Sequence, residues 1–297
     1  LVQKVGLVVL RFRCSGRSHP GLVRSNNEDA GYMGAYLLLV ADGVGGAAAG
    51  EIAAASTAYV ASTVSMITDD DPMAVLAQAV TFAHQHLRDG VRANPLLDGM
   101  STTLTAVFGD GERFALAHVG DSRAYLWRNG ALHQITKDHT LVQMMLDSGQ
   151  LRAEEAANFP YRSVIARSVT HSDPPEPDLC LLDLEAGDRL LVASDGLTDL
   201  VRDDLLCSAI SSHDLESGVD HLVDLALAAG GRDNITCILG EVVNGPLIHP
   251  RGALLGAAAD PANLIDGAAV RIDHTAPRRT ARLQPRAEPD WCASRVG

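Results

Sequence analysis

At three points in this 297-residue chain an apolar run ends on an aspartate beside glycine. The stretch LLLVADGVGGAAAGE, residues 37–51, is apolar through residue 40, reaches Asp42, and breaks into Gly43, Gly45 and Gly46 before a helical pattern begins. A short apolar run closed by glycine reads as a strand buried on both faces. Asp42 then stands at a strand end, on a rigid support, beside a loop with no side chains to keep an ion or a phosphate away. HVGDS places Asp121 in the same way, and LLVASDG places Asp195; RDNIT sets Asp233 and Asn234 at the start of a last strand. Taken singly, each is equally a polar strand end with a glycine turn.

Taken together they point to chemistry. Strands laid side by side would gather Asp42, Asp121, Asp195 and Asp233 into one cleft, where the carboxylates cannot all stay ionised unless a cation lies among them. All-oxygen ligation selects Mg²⁺ or Mn²⁺ rather than zinc. Two such ions about 3.5–4 Å apart lower the pKa of a bridging water and make a hydroxide nucleophile near neutral pH. That chemistry suits hydrolysis of a phosphate ester.

The elements that must position these groups are legible in outline. Residues 5–14 read as an opening strand, followed by a polar connection carrying Arg24, Glu28 and Asp29. Residues 51–66 are alanine-rich and helical. A second helix opens at Asp71 with Pro72 in its first turn, keeps Leu76, Ala79, Ala83 and Leu87 on one face, and is expected to stop at Gly90. His84 and His86 lie at i and i+2 on that helix and point apart, so they make no ligand pair. Residues 101–108 alternate and turn at Gly109-Asp110-Gly111 into 114–117, a hairpin. His118 reads as a buried strand residue, and Asn129-Gly130 as a hairpin turn. A helix over 137–150, an irregular excursion over 151–177, strands at 179–184 and 188–193, a helix over 216–229 and a final strand from 235 complete the core. Residues 246–297 lose periodicity and carry few large apolar groups, so they read as a disordered Ala/Pro/Arg-rich tail after one domain at 1–245.

Composition narrows the partners. The formal net charge of −13 argues against nucleic acid and anionic membrane surfaces. It also requires a locally positive site for any phosphorylated substrate, which metal ions could supply. The five cysteines are scattered without a CxxC pair, so neither a disulfide framework nor a thiolate zinc site is indicated. No apolar stretch reaches the roughly 18–20 residues needed to span a bilayer. The reading is a soluble, cytoplasmic, monomeric protein.

In order, RSNNEDA, ADGVGG, MSTTLTAV, VGDSRAYL, ITKDHT, SDGL and RDNIT closely resemble the metal-dependent serine/threonine protein phosphatases of type 2C, above all their bacterial branch. The resemblance covers residues 12–243. It implies an α+β fold, a four-layer α-β-β-α sandwich of two antiparallel sheets flanked by helices, with the metal centre at one edge. It implies that Asp42 bridges two Mn²⁺ or Mg²⁺ ions, that the Gly43 carbonyl binds one of them, and that Asp195 and Asp233 bind the other. Glu28 and Asp29 would hold metal-bound waters. Asp121, with Asp195, would form a weaker third site, and Arg24 would grip the substrate phosphate. The implied activity is hydrolysis of phosphoserine and phosphothreonine in proteins by a metal-bridging hydroxide, reversing a bacterial serine/threonine kinase. Partners would be phosphorylated proteins, including such a kinase or its substrates.

The family's irregular flap corresponds to residues 151–172, which brings Arg162 and Ser163 near the site. Two positions depart from the pattern. Val44 stands where animal members often carry a histidine proposed as the leaving-group acid, and Ala47 where bacterial members tend to have a histidine. The alternative to an enzyme is a catalytically silent domain of this fold acting as a phosphoprotein sensor. Such domains usually lack one or more of the metal aspartates, and this chain keeps them all.

Overall fold

The computed structural model describes residues 8–44, 49–67, 71–156 and 159–266. Its strands are β1 (Val8–His19), β2 (Asp29–Gly34), β3 (Leu37–Val44), β4 (Ser101–Thr102), β5 (Leu104–Gly109), β6 (Phe114–Val119), β7 (Arg123–Arg128), β8 (Ala131–Gln134), β9 (Val169–Thr170), β10 (Asp178–Leu182), β11 (Arg189–Ala193), β12 (Ile235–Pro246) and β13 (Gly252–Gly256). The helices are α1 (Gly50–Ile67), α2 (Pro72–Ala93), α3 (Leu141–Asp147), α4 (Ala153–Ala156), α5 (Asp195–Thr198), α6 (Asp203–Ser212) and α7 (Leu215–Ala228).

Two sheets form, both antiparallel. One runs β1-β12-β11-β7-β8; the other runs β10-β6-β5-β3-β2-β13, with β4 joined to β3 and β9 joined to β4. The strand read at 37–40 shows why a continuous apolar run was needed. Leu37, Leu39 and Ala41 pack under α1 and α2, while Leu38 and Val40 face Phe12, Val192 and Ile238 of the other sheet. The other sheet divides in the same way. Leu190 and Val192 join that inner layer, while Leu191 and Ala193 pack with Leu206, Ile210 and Leu222 of α6 and α7. The four-layer α-β-β-α sandwich expected from the sequence is thus observed. Alternate residues serve different layers because successive side chains of a strand point to opposite faces.

Several boundaries differ, each for a physical reason. β1 continues through the polar SGRSH segment to His19, because its ladder with β12 runs unbroken from Val8 opposite Pro246 to His19 opposite Ile235. Gly90 does not stop α2, which is capped at its start by the Asp71 side chain and continues to Ala93. A Cβ on Gly90 would lie 2.6 Å from Ile265 Cδ1, so the glycine makes room for the C-terminal segment to pack on the helix. The helix expected over 137–150 is reduced to Leu141–Asp147 with Thr140 as N-cap, since Asp138 is bound instead to Arg123 at 2.6 Å. The strands near 180 and 190 belong to different sheets, β10 beside β6 and β11 between β12 and β7.

Ordered structure also passes the expected boundary at 245. β13 pairs with β2 from Gly252 opposite Gly34 to Gly256 opposite Ala30, and 3-10 turns follow at Ala257–Ala259 and Pro261–Asn263. Few apolar groups are needed there, because β13 gains its ladder from the open edge of β2 and Ala257 and Ala258 bury small side chains beside α1. Residues 267–297 lie outside the described residues, as do Gly45, Gly46 and Ala47. Cys14, Cys207 and Cys237 are free. Cys180 is disulfide-bonded, although the scattered cysteines indicated no disulfide framework. Among the described residues, no helix is long and apolar enough to cross a membrane.

Candidate metal centre

The aspartates meet at one end of the sandwich because antiparallel strands bring C-terminal and N-terminal strand ends to the same edge. Asp42 lies two residues before the end of β3, Asp29 opens β2, and the two are cross-strand partners. Asp121 follows β6 in the turn that crosses to β7. Asp195 opens α5 directly after β11, and Asp233 precedes β12, the neighbour of β11. Residues far apart along the chain thus share one edge, as the sequence reading required.

Fixed backbone contacts hold these ends. The Asp42 N–H donates to Thr103 Oγ1 at 2.9 Å, while its carbonyl accepts from Thr102 Oγ1 at 2.8 Å. Gly43 donates its N–H to the Glu28 carbonyl at 3.2 Å. A Cβ on Gly43 would lie 2.4 Å from the Gly50 carbonyl oxygen and 2.8 Å from that of Glu28, so only glycine fits between the start of α1 and the loop before β2. The Ser194 hydroxyl donates to Asp29 Oδ2 at 2.7 Å and receives the Thr236 N–H at 3.0 Å, tying the two sheets together beneath the site.

Asn234 fixes the loop that carries Arg24 and Glu28. Its Oδ1 accepts the Glu28 N–H at 2.7 Å, and its Nδ2 donates to the carbonyls of Pro20 at 3.0 Å and Asn26 at 2.8 Å. The sequence placed Asn234 at a strand start but gave it no task. A buried amide in a turn-rich segment, able to serve both N–H and C=O groups, was the available signal.

Electrostatics shows how closely the carboxyls crowd. Burial, reinforced by Asp29, Asp195, Asp121 and Asp233, holds Asp42 well above the usual carboxylate range. Burial lifts Asp29 to about 7 against hydrogen bonds from Ser194 and Thr236, with Asp195 and Asp233 adding to the rise. Asp121 reaches about 8 through burial and then the charges of Asp195, Asp138 and Asp199. Asp195 reaches about 6 through burial, Asp199 and Asp233, opposed by a hydrogen bond with Asp42 and by Arg123. Each aspartate in this set makes its neighbours harder to ionise, which is the condition a divalent cation relieves.

Arg24 stands on the rim, half exposed, and its Nη2 meets Asp233 Oδ2 at 2.7 Å. That hydrogen bond and ion pair raise the guanidinium's pKa, with smaller contributions from Glu28 and Asp42. The residue expected to hold phosphate therefore lies beside the ligands expected to hold metal. Glu28 lies against the first turn of α1, where a Cβ on Gly50 would come within 2.5 Å of its Oε2. Arg162 and Ser163 are exposed on the flap.

The donor set fits hard divalent cations. It is all oxygen, and Asp29 Oδ1 is buried without a hydrogen-bond partner. It is a set of neighbours rather than a closed cage. Among the described residues no three His, Cys, Asp or Glu side chains stand at ligand spacing, and Asp233 is turned toward Arg24.

Comparison with known proteins agrees with this fold. The family described as "Protein phosphatase 2C" matches residues 19–235. The serine/threonine protein phosphatase PstP of Mycobacterium tuberculosis is 40% identical over 97% of this chain, which spans 58% of the length of that relative. The protein phosphatase PhpP of Streptococcus pneumoniae is 34% identical over 74% of this chain and 93% of its own. The solved catalytic domain of PstP in complex with two manganese ions superposes with a TM-score of 0.72 at 42% identity, covering 79% of this chain and 99% of that one. Agreement in fold and in sequence makes this chain a member of the protein phosphatase 2C family.

Proposed function

We propose that this chain is a divalent-cation-dependent phosphatase that removes phosphate from serine and threonine residues of proteins, acting in the cytoplasm against a serine/threonine kinase. The observation that carries the reading is the gathering of Asp29, Asp42, Asp121, Asp195 and Asp233 at one edge, with mutual elevation of buried carboxyls. The Asp42 carboxylate and Gly43 carbonyl, with Asp195 and Asp233, would hold two Mn²⁺ or Mg²⁺ ions, and Asp121 with Asp195 would hold a weaker third. Bound there, the ions supply Lewis acidity and lower the pKa of coordinated water.

The chain's own groups do the rest. Arg24 presents a planar fork of donors at the rim, matched to phosphate oxygens and charged at every relevant pH. Asp29, with Oδ2 fixed by Ser194, keeps Oδ1 available to accept a hydrogen bond from water and orient it. Glu28 serves in the same way from the loop that Asn234 clamps. Rigid strand ends supply the positioning, and charge neutralisation does most of the remaining work of phosphoryl transfer. The Val44 side chain has no acidic proton to give, so it is not the acid that protonates the leaving alkoxide.

The test is phosphate release from a phosphothreonine peptide with Mn²⁺, abolished by EDTA. Folded, Mn²⁺-loaded protein without turnover on phosphoserine or phosphothreonine substrates would leave the sensor reading in its place.

A further inference from the structure

His139 lies outside the aspartate cluster, is 4% exposed, and connects the flap to the turn that carries Asp121. Its Nδ1 accepts the Gly120 N–H at 3.1 Å, so the ring's single proton sits on Nε2, directed at Asp178 Oδ2 at 3.1 Å. The other oxygen of Asp178 receives Nη1 of the flap residue Arg167 at 3.1 Å. The His139 backbone repeats the link, donating to the Gly120 carbonyl at 2.7 Å and accepting the Ala166 N–H at 2.7 Å. His118 packs against the ring at 4.6 Å between centroids.

Gly120 is where such a link acts on the site. It has φ +111°, and a Cβ there would lie 2.5 Å from Thr103 Cγ2, in the same side chain whose hydroxyl receives the Asp42 N–H. A shift of Gly120 therefore moves Asp121 and presses on the support of Asp42. The far end of the flap is already anchored through backbone, with Val169 paired to Thr102 and Thr102 to Gly43.

We propose that His139 is a positioning residue that transmits the position of the flap, through Asp178 and Arg167, to the Asp121 turn and so sets the affinity of the most weakly held cation. The inference rests on the metal-centre reading above. His139→Asn keeps an acceptor near Nδ1 for Gly120 but cannot reach Asp178, so it severs the side-chain branch to the flap and leaves the backbone link through Ala166 and the local support of the turn in place. Arg167→Gln severs the same branch from its partly exposed end, should the buried substitution unfold the protein.

The experiment is calorimetric titration of the full chain with Mn²⁺, paired with limited trypsin digestion of the flap and a thermal melt. Both variants should bind the weakest Mn²⁺ about tenfold less tightly, the scale typical of groups that support ligands, and should be cleaved faster in the flap. Variants that only melt earlier, with wild-type Mn²⁺ affinity well below the melting temperature, overturn the coupling and leave the metal centre standing. Wild-type protein that binds no Mn²⁺ overturns both.

Discussion

Replacing Asn234 by alanine should loosen the loop that carries Glu28 and Arg24, and the cost follows from the bonds removed. Three backbone groups lose their partner: the Glu28 N–H at 2.7 Å, the Asn26 carbonyl at 2.8 Å and the Pro20 carbonyl at 3.0 Å. Pro20 and Asn26 are exposed, so water recovers most of their loss, whereas the Glu28 N–H lies behind the half-buried Glu28. One unmet buried donor at roughly 1–3 kcal/mol plus two weakened bonds gives about 2–3 kcal/mol of destabilisation. In urea, with a slope of about 2 kcal/mol/M, the midpoint should fall by about 1–1.5 M. Asn234→Asp keeps the acceptor for Glu28 and loses both donors, so it should fall between the two. In Asn234→Ala Mn²⁺ affinity should drop, because the Glu28 N–H loses its anchor, and in Asn234→Asp, which keeps that anchor, it should drop less. A midpoint within about 0.2 M of wild type, with unchanged Mn²⁺ affinity, would show that the clamp is incidental.

Other consequences are as specific. Asp29, Asp121 and Asp195 reach about 7, 8 and 6 in the folded protein, mainly by burial, against an unfolded value of about 3.9. Between those limits the folded protein binds more protons than the unfolded chain, so in EDTA its stability should fall as pH rises through that window. Melting in EDTA should occur at lower temperature near pH 7.5 than near pH 5, and Mn²⁺ should reverse the loss; a melting temperature that rises with pH would contradict the crowding. Gly43→Ala places a Cβ 2.4 Å from the Gly50 carbonyl oxygen and should destabilise by roughly 1–3 kcal/mol, read by urea unfolding. In phosphopeptide kinetics, Asp42→Asn should eliminate turnover and Arg24→Ala should chiefly raise KM; an Asp42→Asn variant of undiminished activity would refute the assignment.

The parts of the fold that could be read from sequence were those in which each residue answers to one local rule. The run at 37–40 had to be buried on both faces, and its odd and even residues serve the two layers. Asp71-Pro72 and Asn129-Gly130 fix a helix start and a hairpin turn by backbone chemistry alone, and the structure places both as expected. What could not be read was set by partners distant in sequence. Gly90 looked like a stop because nothing nearby shows that Ile265 fills the space above it. Lys137 and Asp138 looked helical because the claim of Arg123 on Asp138 comes from another strand. β13 had too weak a pattern of its own, since its order depends on the open edge of β2. At the site, aspartates at strand ends were visible as a repeated pattern. Ser194, Thr103, Asn234 and His139 were not, because their importance lies in hydrogen bonds spanning 42, 61, 206 and 19 residues of chain.

Calorimetric titration of Mn²⁺ into the wild-type chain and into Asp42→Asn addresses the convergence of the carboxylates most directly. Wild type should take up two ions tightly and a third more weakly, with release of protons from the crowded acids, and the variant should lose most of the tight binding. Equal uptake by both proteins, or none by the wild type, would mean that the aspartates at this edge do not share cations.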